Sequence, residues 1–239
     1  MLRLDRDKKL LGFLDPDALR HVLKRLADQR WLRRLERGAY VVAGPGRTET
    51  RSQLALIADW LEGEPYLVTG FFALAHWNLT GHPPTAVDVL LARRKANVRY
   101  GQTLFRFIYT ARTAFGPAQE VRVVGARALA QVASPERTLA YVLAGRHAVS
   151  LDVASEAFER GLRYGVLHRG KLLAAAREAP SAALRRLGWI AERHEDALAA
   201  QLRSFVGSEG YVPLDPRASA ARAELNRRWR LVENAEVTA

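Results

Sequence analysis

The sequence predicts an α+β fold: a short helix-and-hairpin unit at the N-terminus, then a larger mixed region with a small β-sheet and several helices. Three observations predict it. Apolar residues recur at helical spacing over residues 19–26, and a glycine-centred hairpin pattern follows at 31–43. Stretches rich in Val, Leu and Phe near 87, 106 and 122 then give way to helical periodicity.

The first helix has a clear start. Asp15 can cap it, Pro16 suits its first turn, and Asp17 favours the positive end of the dipole. Leu19, Val22, Leu23 and Leu26 form one apolar face, and the pattern fades at Gln29-Arg30. Trp31 to Leu35, the turn Glu36-Arg37-Gly38 and Ala39 to Ala43 read as a β-hairpin. Gly38 there supplies the backbone angle of a short loop. Gly44-Pro45-Gly46 marks a domain boundary. The expected division is therefore 1–43 as a first domain, 47–205 as a second, and 206–239 as a C-terminal extension.

Further elements follow in order. Leu54, Ile57, Ala58 and Leu61 mark a helix, and Gly70 to Leu79 a shorter one. Ala86 to Leu91, Leu104 to Tyr109 and Glu120 to Val124 read as strands. From Ala126 the pattern turns helical, with Ser134-Pro135-Glu136 as a second capped start. Helices are expected at 152–164, 170–178 and 181–200, and the tail is expected to be the least ordered part.

Composition narrows the function. There is no cysteine among 239 residues, which removes disulfides, thiolate catalysis and cysteine-based zinc sites together. No apolar run approaches the roughly 18 residues of a membrane span, and the opening residues carry no apolar signal core, so a cytoplasmic protein without a membrane partner is expected. The formal net charge is +12, which points to a polyanion, most simply nucleic acid. Arginine enrichment can also reflect a GC-rich genome, since only five of the 37 basic residues are lysine. The excess is unevenly placed, however. Residues 1–50 carry +5 and residues 86–127 carry +6, whereas 51–85 carry −2.

The first of those basic segments coincides with the helix and hairpin. At 100° per residue, Asp17, His21, Lys24 and Asp28 fall opposite the apolar stripe, flanked by Arg20 and Arg25. Arg33, Arg34 and Arg37 decorate the hairpin. A helix followed by a basic hairpin is the second half of a winged helix-turn-helix, in which the helix enters the major groove and the wing reaches phosphates. The alternative is a solvated helix face beside an ordinary hairpin. A complete motif also needs helices upstream, and only Lys8 to Leu14 is available for one. The second basic segment offers Arg93, Arg94, Lys95 and Arg99 in a loop expected to be exposed. It is either a solvated loop or a second nucleic-acid contact, to flanking DNA or to RNA.

The segment Trp31-Leu32-Arg33-Arg34-Leu35-Glu36-Arg37-Gly38-Ala39-Tyr40-Val41 resembles the wing that opens the AbiEi-type antitoxins of type IV toxin–antitoxin systems. Tyr66 to Thr80, Val87-Asp88-Val89-Leu90-Leu91 with Arg93-Arg94-Lys95, and Ser134-Pro135-Glu136-Arg137-Thr138-Leu139 resemble later segments of that family in the same order. The resemblance runs from about residue 19 to about 190. The chain departs from the pattern in its short N-terminus and at Tyr141, near where the family usually carries an acid. The resemblance implies an autorepressor that binds double-stranded DNA at its own promoter. It also implies an antitoxin that counters a nucleotidyltransferase-type toxin, without a stable complex between the two.

Other signals are weaker. His76 and His82 have poor spacing for a metal and no cysteine or acid beside them. Asp88 before a basic loop suggests a nuclease, but the paired acid and lysine such a site needs do not follow it. No phosphate-binding glycine loop is present. No cofactor, metal or catalytic residue is therefore expected, and Trp60, Trp77, Trp189 and Trp229 read as core residues. Two rivals stay open. One is a stand-alone winged-helix transcription factor with a ligand-binding or dimerising C-terminal domain, and the other is an enzyme acting on nucleic acid.

Overall fold

The computed structural model describes residues 1–7, 11–12, 14–44, 51–145, 149–219 and 223–235. Much of the upstream helix expected at Lys8–Leu14, and two residues of the Gly44-Pro45-Gly46 boundary, lie outside the described residues. The chain mixes helices and strands.

At the N-terminus, β1 (Leu2–Arg3) is followed by α1 (Pro16–Asp28), β2 (Leu32–Glu36) and β3 (Ala39–Val42). The Asp15 side chain accepts hydrogen bonds from the amides of Asp17 and Ala18, so the cap works as its sequence predicts. Leu23 is buried under α1. The three strands form one sheet in the order β1-β3-β2. The β2–β3 register shifts between Arg34 and Glu36. This bulge lets Leu32 and Leu35 both turn inward while the neighbours Arg33 and Arg34 both stay exposed. Gly38 closes the hairpin with φ +79°, a left-handed angle that favours glycine.

Next come α2 (Gln53–Trp60), β4 (Tyr66–Thr69), α3 (Gly70–His76), β5 (Ala86–Leu91), β6 (Val98–Tyr100), β7 (Thr103–Tyr109), β8 (Ala118–Val121) and β9 (Ala130–Ala133). They build a six-stranded mixed sheet in the order β6-β7-β5-β4-β9-β8. One face, with Val68, Val87, Val89, Phe105, Phe107 and Val132, packs on α2. Leu35, Ala39 and Val41 of the hairpin belong to this same apolar cluster. The hairpin and the sheet thus share one core across the expected boundary at 44–46. The other face, with Leu67 and Leu90, turns toward α4 (Pro135–Leu143).

Helices α5 (Leu151–Arg163), α6 (Arg169–Glu178), α7 (Ser181–His194) and α8 (Asp196–Arg203) join α4 around a second core containing Leu139, Phe158, Leu187 and Trp189.

Four of the expected secondary-structure elements differ in the structure. The strand expected at Glu120–Val124 lies at Ala118–Val121. Residues 130–133, expected to be helical, form β9 inside the sheet, between β4 and β8. The four residues Ala130-Gln131-Val132-Ala133 are too few to display either period, and sheet packing decided it. The helix expected at 181–200 breaks at Glu195, whose backbone is extended. The tail, expected to be loose, forms a three-stranded sheet from β10 (Val212–Pro213), β11 (Glu224–Asn226) and β12 (Leu231–Glu233). Leu214, Trp229 and Leu231 are fully buried there and complete the helical core.

Candidate nucleic-acid interface

Seven basic or ionisable side chains were expected to face DNA, and all seven are exposed: Arg20, His21, Lys24, Arg25, Arg33, Arg34 and Arg37. Their local partners are few. Arg20 pairs with Asp17 one turn away at 3.0 Å, both side chains about three-quarters exposed, so the pair is screened and weak. His21 Nδ1 lies 2.8 Å from the Asp17 carbonyl. Arg34 donates to the Glu36 carbonyl at 3.3 Å, and the Arg33 guanidinium stacks 5.1 Å from the Tyr100 ring. Lys24, Arg25 and Arg37 have no carboxylate partner among the described residues.

One residue was missed by sequence reasoning. Arg30 is exposed and ends α1 in the left-handed region, φ +62°. The Arg30 amide donates to the Ala27 carbonyl, and the Trp31 amide reaches back to the Leu26 carbonyl at 2.8 Å. This is a Schellman-type helix end, where glycine is the usual residue. An arginine there accepts backbone strain of about 1 kcal/mol and adds a charge at the junction of helix and hairpin. Its signal in the sequence was the missing glycine after Gln29.

The second expected patch is not one surface. Arg93 makes a two-pronged bond to Glu64, at 2.7 and 3.0 Å, and that hydrogen bond raises the Arg93 pKa. The Arg94 guanidinium lies 5.7 Å from the Tyr109 ring. Lys95, expected in an exposed loop, has a side chain only 5% exposed. Its ammonium bonds the Glu36 carboxylate and sits over the Trp60 and Phe107 rings, at 4.7 and 5.1 Å. Glu36 also accepts from Trp60 Nε1 at 2.6 Å. Lys95 is therefore a brace that fixes the hairpin to the sheet, with charge, ring and hydrogen bond converging on one carboxylate. Arg99 is exposed on β6, between Val98 and Tyr100, which pack toward the core shared with the hairpin. Strand alternation therefore turns Arg99 to the opposite face.

More contacts tie this unit down. Arg3 donates to the Trp60 carbonyl, and Arg6 pairs with Glu62 at 3.1 Å. Asp59, fully buried, accepts from the amides of Arg127 and Ala128 and pairs with Arg51.

The remaining acid and histidines are accounted for locally. Asp88 is 1% exposed and binds Arg106, its register partner on β7, at 2.5 and 3.0 Å. Gly70 leaves it room, since a Cβ there would stand 2.5 Å from its Oδ2. His76 packs on the Trp77 ring at 4.6 Å, and burial lowers its pKa. His82 is exposed. Among the described residues no three His, Asp or Glu side chains converge as a metal group, and no helix is long and apolar enough to cross a membrane.

The arrangement is that of a mixed chain of helices and strands whose N-terminal hairpin packs on one face of a six-stranded sheet, with the basic helix against that hairpin. The Rv2827c protein from Mycobacterium tuberculosis has a similar crystal structure, with a TM-score of 0.66. The match covers 92% of this chain and 80% of that one, at 15% sequence identity. That likeness concerns the fold. No family model and no curated protein matches the chain.

Proposed function

We propose that this protein is a double-stranded-DNA-binding regulator in which α1 and the β2–β3 hairpin act as an abbreviated winged helix-turn-helix. One observation carries the reading. Arg20, Lys24, Arg25, Arg30, Arg33, Arg34 and Arg37 are all exposed on one helix and the hairpin that follows it; among the described residues Lys24, Arg25, Arg30, Arg34 and Arg37 have no carboxylate partner, and the pair of Arg20 with Asp17 is screened. Such unneutralised cations release condensed counterions when they meet phosphates, which favours binding. In this reading α1 lies in the major groove and the bulged hairpin contacts the backbone beside it.

The resemblance of residues 19–190 to AbiEi-type antitoxins extends the proposal. The DNA is the protein's own promoter, and the remainder of the chain counters a nucleotidyltransferase-type toxin in the cytoplasm, without a stable complex and without catalysis of its own.

The test is binding of the full chain to its promoter at several salt concentrations. Replacing Arg20, Lys24 and Arg34 together with alanine should weaken binding on the order of 100-fold and reduce the salt slope by about three. Unchanged binding overturns the assignment. Co-expression with a neighbouring toxin gene tests the second part. If DNA binding holds and rescue fails, the protein is a plain transcription factor.

A further inference from the structure

The sheet's second face is incompletely covered. Between it, α4 and the end of α6 lies a cavity of about 800 Å³, within the 300–1,000 Å³ range typical of small-molecule sites. Leu67, Leu90 and Ile108 of β4, β5 and β7 form its apolar floor. On the α4 side the wall carries Ala140 and Ala144, one turn apart. Their small side chains keep the space open.

Two charged residues line it, and they are placed unequally. The Arg137 side chain is 19% exposed, whereas its partner Glu178, at 3.1 Å, is 62% exposed. Arg137 also donates to the Ala114 carbonyl and lies against Gly116, where a Cβ would collide with the guanidinium. The cation is thus sunk in the wall while its counter-charge stands in water, where its field is screened. A cavity with that arrangement is biased toward negative charge.

We propose that this cavity binds a small amphipathic anion: a flat apolar body against Leu67, Leu90 and Ile108, and one carboxylate- or sulfonate-type group against Arg137. A guanidinium suits such a planar, two-oxygen partner. The site lies across the sheet from the basic hairpin, and it stands whether or not the DNA-binding reading holds.

The test uses two probes of nearly the same aromatic body, the anionic 1-anilinonaphthalene-8-sulfonate and the neutral N-phenyl-1-naphthylamine, with the folded full chain. The anion should saturate one site with blue-shifted fluorescence and bind about tenfold more tightly than the neutral probe. Arg137→Gln should erase that preference, and Glu178→Gln should enhance it. Ala140→Phe should fill the cavity and abolish binding of both probes. The Arg20, Lys24 and Arg34 triple alanine variant should bind the anion as the natural chain does. Equal affinity for the two probes overturns the proposal. So does anion binding that survives Ala140→Phe or disappears in the triple variant. If Arg137→Gln fails to fold by circular dichroism, the probe pair and Ala140→Phe decide.

Discussion

Arg33-Arg34 and Arg185-Arg186 are the same dipeptide in opposite surroundings. The first lies on the outer side of a bulged strand, with both side chains exposed. The second lies inside α7, 1% and 4% exposed. Arg186 donates to the carbonyls of Leu143, Pro213 and Leu214 at 2.7–3.2 Å, and burial lowers its pKa. Arg185 reaches the Gly210 carbonyl and the Glu209 carboxylate, the latter at 3.3 Å. Among the described residues Arg186 hydrogen-bonds only to carbonyls, with the Asp215 carboxylate adding a longer-range attraction. One pair faces solvent, while the other stitches the C-terminal segment to the helical core. Net charge sums the two kinds without distinction.

The largest expected effect breaks the buried pair. Arg186→Met strips the carbonyls of Leu143, Pro213 and Leu214 of their donors, and should destabilise the protein by about 3–5 kcal/mol in chemical denaturation. Promoter affinity per folded molecule should stay the same. The exposed set should behave in reverse: the triple alanine variant should shift stability by less than about 0.5 kcal/mol per site while losing its DNA. Comparable stability losses in both would erase the distinction.

Lys95 sharpens the contrast, since its sequence neighbourhood resembles a nucleic-acid patch and its structure is a brace. Glu36→Ala leaves a buried ammonium and the Trp60 indole N–H without their carboxylate, at a cost of about 2–3 kcal/mol. Adding Lys95→Met should recover part of that loss, and a double-mutant cycle should show coupling of about 1–2 kcal/mol. Lys95→Met alone should leave the salt slope of DNA binding unchanged. A slope that falls by one would make Lys95 a phosphate contact after all.

The smallest effect has opposite signs in its two measurements. Arg30→Gly relieves a left-handed arginine and should raise stability by about 0.5–1 kcal/mol. It should also weaken promoter binding several-fold, on the order of 1 kcal/mol. A gain in both would make Arg30 an accident of composition.

The same shared core bears on dissection. Cutting at 44–46 removes Leu35, Ala39 and Val41 from the cluster around Trp60, together with the Glu36 partner of Lys95. Point substitutions on the exposed face therefore separate the activities more cleanly than a truncated chain does.

The sequence by itself determined the elements whose causes are local. Asp15-Pro16 and Ser134-Pro135 start α1 and α4, and in both helices the capping oxygen accepts from the first-turn amides. Gly38 closes the hairpin, and alternating Val, Leu and Phe made β5 and β7 legible. The exposure of the α1 cations also followed from the helical period, whereas Arg33 and Arg34 owe their joint exposure to the bulge in β2. Only the tertiary structure decided the rest. Helical and strand periods were both open to the four residues of β9. The brace joins Lys95 to Glu36 across 59 positions, and Arg186 finds its carbonyl partners 27 to 43 positions away. The cavity exists because Ala140 and Ala144 face three strands that are remote in the chain. Caps, turns and periodicities act over a few residues, so a sequence displays them directly. Whether a charge is paired, buried or left facing water depends on which distant groups packing brings within a few ångströms of it.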